Sequence, residues 1–242
     1  MRPRSISATC PHVALEIRKK ISKDVRYANE MMFLDVMSIF QITLPPWKTL
    51  GQPLADSLVQ RITDRMMLED LILAKVINFS ERLVPLIPLS TKADGNCLMH
   101  SISLFIWGIH DSNPIFLRKL MHSALQQDSK KEYKNRWKWR LKNQISLDSS
   151  QSFSSDWESV VSAASPIKEE GKPFPYLEDI HIFVICQILR RPIIVLSEPV
   201  IRGVHGHSIS PNTLHGVYLP VLWDSKRCCK SQIGRASCRE RV

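Results

Sequence analysis

The stretch from Glu178 to Leu189 carries apolar residues on nearly every face: Ile180, Ile182, Phe183, Val184, Ile185, Cys186, Ile188 and Leu189. A helix of this kind has no polar side to turn to water, so other elements must enclose it. Glu178 and Asp179 open it and Arg190-Arg191 close it, the order that the helix dipole favours. Pro192 stops it. The short apolar run Ile193-Ile194-Val195-Leu196 that follows reads as a buried strand, and Gly216 to Leu222 as another. Helices and strands interleave, so the expected fold class is α+β, or α/β-like, with a small central sheet flanked by helices.

The remaining segments are read around that centre. Residues 1 to about 45 are expected to be helical in places, over Val13–Arg18 and Glu30–Phe40, until Pro45-Pro46 breaks the pattern. From Pro53 to Val76 the apolar spacing is helical, and Leu83–Leu89, with two prolines, suggests an edge strand. Further helices are expected from Ile115 to about Leu125, with Arg118 and Lys119 on the outer face, and from Lys131 to Lys142. Ser146–Ser155 reads as a loop, with Ser155 capping a helix that carries Trp157, Val160 and Val161. Pro166–Pro175 reads as a linker or mobile loop. The last nine residues, Gly234–Val242, are abruptly polar and resemble translated adaptor sequence, so they are left out of the fold reasoning. The expected organisation is an N-terminal helical extension (1–50), a main domain (51–233) incomplete at its C-terminus, and a non-native tail (234–242). The final strand of the sheet is expected to be missing, which would expose an unpaired edge.

Composition narrows the function classes. With 242 residues, 44% hydrophobic and 23% charged, the chain can bury one sizeable core. No apolar run reaches the roughly 18 residues of a membrane helix, so no membrane partner is expected. Six scattered cysteines argue against a disulfide scaffold and for a reducing, cytoplasmic or nuclear, compartment. The pair Cys228-Cys229 has no CxxC partner, which gives a zinc site weak support, and no metal or other cofactor is expected. The net charge of +10, with Trp137 and Trp139 among the basic residues of 134–142, raises a nucleic-acid reading. The charge is spread over several elements without a nucleic-acid motif. A basic face for an acidic protein patch, or a solvated surface, is the preferred reading.

Chemistry points to Asp94-Gly95-Asn96-Cys97, a loop that runs into an apolar-periodic helix with a thiol on its first turn. Unpaired N–H groups and the dipole at a helix start favour the thiolate. With Gly95 letting the backbone come close, the same N–H groups could hold an oxyanion beside the sulfur. The bland alternative is a core cysteine at a helix start.

The run Asp94–His100, with Trp107-Gly108 and Leu117-Arg118-Lys119, resembles the catalytic signature of the ovarian-tumour (OTU) cysteine deubiquitinases, and of one subgroup in particular. Leu177–Val195 and Gly216–Pro220 match the same subgroup in the same order, over about Pro53 to Ile233, while residues 1–50 match poorly. The resemblance implies a papain-like fold and hydrolysis of ubiquitin chains by a cysteine, a histidine and an orienting acid. Cys97 would be the nucleophile, the loop of Asp94, Gly95 and Asn96 would stabilise the oxyanion, and Asp64, 33 residues before Cys97, would be the orienting acid. Asp64 could equally be a solvated helix acid, with Glu69 or Asp70 as rivals in register. None of the eight histidines stands where the family places its base. His181 reads as a packed or capping residue. The chain as written is therefore expected to be nearly inactive. Implied partners are ubiquitin, polyubiquitin chains and ubiquitinated signalling proteins, with damping of nuclear factor kappa B signalling. A non-catalytic ubiquitin-binding module is the alternative.

Overall fold

The computed structural model describes residues 11–35, 51–82, 85–92, 94–109, 116–144, 153–197, 200–202, 208–211, 214–229 and 233–236. At its centre lies the helix expected from its apolar faces, Asp179–Leu189, and every residue from Ile180 to Leu189 is buried. In chain order the described helices are α1 (Pro11–Ser22), α2 (Gln52–Ile62), α3 (Arg65–Leu73), α4 (Cys97–Trp107), α5 (Phe116–Gln126), α6 (Glu132–Gln144), α7 (Phe153–Ala163) and α8 (Asp179–Leu189). The strands are β1 (Val25–Ala28), β2 (Met31–Leu34), β3 (Ile193–Val195), β4 (Val200–Arg202), β5 (Ser208–Pro211), β6 (Gly216–Tyr218) and β7 (Ile233–Ala236). Helices around small sheets make this an α+β fold, as expected.

α8 packs against α5, α6 and β2. Its start is fixed by His181, whose Nδ1 accepts the Glu178 N–H at 2.9 Å while Nε2–H donates to Val160 O, also at 2.9 Å. The packed or capping reading of His181 thus agrees with its position. Its end is left-handed at Arg190 (φ 49°), which turns the chain into β3. Gln187, buried in mid-helix, donates to Leu219 O and accepts from Leu222 N–H, and the Trp223 indole N–H donates to Gln187 O. These three bonds fasten the segment after β6 to the central helix and satisfy polar groups that burial would otherwise penalise.

Four segments depart from expectation. Glu30–Phe40 is not helical at its start: β1 and β2 form an antiparallel hairpin closed by Asn29 and Glu30, both at positive φ (52° and 66°). Two such residues give the turn whose twist suits a hairpin; residues 36–40 lie outside the described residues. Ala14, Ile21, Met32 and Leu34 join the main core cluster, so residues 11–35 are part of the same packed body as α8. The helical pattern over 53–76 is broken at Thr63-Asp64 into α2 and α3, and Thr63 instead forms an isolated antiparallel bridge with Leu89. The third departure is at the sheet edge. β3 pairs antiparallel with β6 and parallel with β7, so residues 233–236 occupy the edge expected to be vacant. The loop expected at Ser146–Ser155 is shortened at its end, since α7 begins at Phe153 and Ser155 lies inside it.

Candidate active site

Cys97 is the first residue of α4, as the apolar spacing required, and it is partly exposed. The loop before it depends on Gly95, whose φ of +83° favours glycine. A Cβ there would lie 2.3 Å from the backbone oxygen of Phe174. That contact places residues 174–175 against the loop, and the Phe174 N–H donates to Asp94 O at 3.3 Å. The segment expected to be a mobile linker is therefore held at its end: Phe174 is buried and backs the loop.

Asp94 shapes the loop from within. Its Oδ1 accepts the Asn96 N–H at 3.0 Å, and both carboxylate oxygens lie 3.1 Å from His100 Nε2. The contact has ion-pair geometry, but burial lowers the His100 pKa and outweighs the raising effect of Asp94. A neutral imidazole whose Nε2–H donates to the carboxylate fits both facts. Burial alone would raise the Asp94 pKa; the bond to His100, its charge when protonated and the Asn96 bonds together bring it below the usual carboxylate value. Asn96 O accepts the His100 N–H at 2.8 Å, starting α4.

Arg118 is the largest correction to the sequence reading. It does not lie on the outer face of α5: it is 0% exposed and points into the molecule, while Lys119 is exposed. Its Nε donates to Ser165 O at 3.0 Å, its Nη1 to Gly95 O at 3.2 Å and to Asn96 Oδ1 at 2.7 Å, and its Nη2 to Pro175 O at 3.0 Å and to Ala163 O. The Phe174 ring stacks on the guanidinium, 4.6 Å from ring centroid to Cζ. A signal was present in the sequence, since Arg118 shares one helical stripe with Met121 and Leu125, three and seven residues on.

Asp64 is the N-cap of α3, where its carboxylate accepts the Met67 N–H at 3.1 Å. Its own N–H donates to Pro88 O, and Ser90 N–H donates to Ile62 O, so Asp64 is tied to the extended residues that lead toward the Cys97 loop. The loop residues and Cys97 are thus brought together, whereas Asp64 serves a helix start. Glu69 and Asp70, its rivals in register, lie within α3. Of the other histidines, His215 accepts the Ser197 N–H at 3.3 Å, and His110, His205 and His207 lie outside the described residues. Among the described residues no group of His, Cys, Asp or Glu could hold a metal ion.

Taken together, this is a partly exposed thiol at a helix N-terminus behind a loop fixed by a buried guanidinium. Such a site can present a nucleophile beside backbone donors. The family model of OTU-like cysteine proteases matches residues 92–239. The chain is similar to tumor necrosis factor alpha-induced protein 3 of Homo sapiens, with 29% identity over 243 residues, covering 96% of this chain and 31% of the relative. The proteins of that name from Macaca fascicularis and Mus musculus are each 28% identical over the same shares. The chain thus spans about a third of the length of the curated relatives it matches.

Proposed function

Because this chain belongs to the OTU-like cysteine protease family, we propose that it is a cysteine-type deubiquitinase in which Cys97 attacks the carbonyl at the C-terminus of ubiquitin. The observation that carries the reading is Cys97 on the first turn of α4, directly after the loop that Asp94 and Arg118 hold. The Sγ–carbonyl bond forms as the carbonyl oxygen takes up negative charge, and N–H groups at the loop and helix start stabilise that charge. The tetrahedral intermediate collapses, its C–N bond breaking as the amine nitrogen takes up the proton that the thiol gave up, and water then hydrolyses the thioester to the carboxylic acid and the Cys97 thiol. Asp64 is the proposed orienting acid for a histidine base. Since none of the eight histidines occupies the family's base position, turnover by this polypeptide is proposed to be slow. The partners are ubiquitin, polyubiquitin chains and ubiquitinated signalling proteins, in the cytoplasm or nucleus. The process served is nuclear factor kappa B signalling.

The missing base match favours a second reading, a module that binds ubiquitin without cleaving it. A ubiquitin probe bearing a C-terminal electrophile separates the two. The enzyme reading expects an adduct at Cys97 that Cys97→Ala abolishes. Retention on immobilised ubiquitin chains without any adduct would select the binding module.

A further inference from the structure

We infer that Arg118 is a positioning residue for the reaction at Cys97, holding the Gly95-Asn96 peptide so that the loop keeps one orientation toward a reacting carbonyl. This rests on the reading of Cys97 as the nucleophile of a deubiquitinase. A guanidinium has five N–H donors in a planar fork, and all five are used here on oxygens from three separate segments: the loop (Gly95, Asn96), the end of α7 and the turn beyond it (Ala163, Ser165), and Pro175. Lysine, with three donors around a point charge, cannot reproduce that pattern. Every hydrogen-bond acceptor is neutral, so no carboxylate in direct contact offsets the cost of burying the cation. Burial lowers the Arg118 pKa to about 10, which leaves it protonated at neutral pH, and the charges of Asp94 and Cys97 act on it in the opposite sense.

The site is not arranged for stability alone. Because arginine only donates, the Asn96 atom that faces it must be Oδ1, and Asn96 Nδ2 is then a buried donor without a hydrogen bond of normal geometry among the described residues, although the side chain still helps to lower the Asp94 pKa. A buried donor without a well-formed hydrogen bond costs stability. Here it sits in the residue before the nucleophile, on the side chain that Arg118 fixes. Phe174 completes the clamp by stacking on the guanidinium, and its carbonyl leaves no room for a side chain at position 95.

The test uses the whole chain and Arg118→Lys, with three readouts. These are the labelling kinetics of a ubiquitin C-terminal vinyl methyl ester, amide exchange in the peptide covering 94–97, and the melting temperature. The rate constant at saturating probe is expected to fall roughly 10- to 100-fold with the half-saturating concentration unchanged. Exchange of the loop amides is expected to rise about tenfold or more, while α8 keeps its protection. A lower melting temperature with an unchanged saturating rate would mean a purely structural role and overturn the inference. If the parent chain forms no adduct, the deubiquitinase reading fails by itself. The clamp is then judged by loop exchange, and unchanged protection at 94–97 overturns it. Should Arg118→Lys not fold, Asn96→Ala, which leaves Arg118 in place and removes the 2.7 Å acceptor together with Nδ2, is read in the same way.

Discussion

Cys97 and Cys186 both belong to apolar helices, yet the fold gives them opposite surroundings. Cys97 is partly exposed at a helix start. Cys186 is fully buried in α8, its single S–H shared between two acceptors in reach, Arg191 O at 2.9 Å and Tyr218 O at 3.2 Å, and burial pushes its pKa up to about 12. Only a thiolate alkylates readily. A short pulse of iodoacetamide at pH 7.5 should therefore modify Cys97 and leave Cys186 intact, as read by peptide mass mapping; equal loss at both would contradict these placements. Asp64 makes a second case at this scale, because its cap bond can be separated from any catalytic role. Asp64→Ala should lower stability by about 1 kcal/mol, within the 0.5–2 kcal/mol typical of a lost N-cap. Asp64→Asn, which can still accept from Met67 N–H, should lose much less. Urea midpoints of the two variants check this, and an alanine variant as stable as the parent would remove the cap role.

Among the elements, α8 couples stability to pH through His181. Burial depresses its pKa to about 4, against its ordinary 6.5, and the contribution of the Val160 bond in the other direction is smaller. The unfolded chain therefore binds more protons between those values, so stability is fully present above about 6.5 and declines as pH falls toward 4. Asp94, also depressed, acts in the same direction as pH falls through the carboxylate range. Urea midpoints should fall from pH 7.5 to pH 5, and His181→Gln should flatten that slope; a slope left unaltered would exclude His181 as its source. The elements legible in the sequence are those with strong periodicity or a hard stop: α4 from its apolar spacing, α8 ended before Pro192, and the strands β3 and β6. The hairpin was hidden because its strands have four residues each and its turn, Asn29-Glu30, has no glycine. The α2–α3 break was hidden because the spacing Leu54, Leu58, Ile62, Met66 runs straight across it. β7 rests on backbone pairing to β3, which needs no side-chain pattern. Arg118 was misread because its charge suggested surface, while its place on the stripe pointed inward.

Across the whole molecule, several of the cations behind the net charge of +10 have internal uses. Arg118 and Arg191 are buried, Arg136 lies 4.1 Å over the Phe183 ring, Arg140 pairs with Asp179, and Arg190 packs on Phe33 and pairs with Asp35. The basic composition is therefore a weaker argument for a polyanionic partner than the count implies, and the catalytic question dominates. A positioned histidine base contributes roughly 10²- to 10⁴-fold. If Cys97 works here without one, a small diffusible base should restore part of that factor, because the sulfur is partly exposed. Cleavage of a fluorogenic amide at the C-terminus of ubiquitin should then rise linearly with added imidazole, following the free-base form as pH is varied, and stay flat in Cys97→Ala. Substantial cleavage that ignores imidazole would mean that one of the eight histidines already serves Cys97. His100 would be the first to test, since it lies within α4 three residues after the thiol and already faces Asp94.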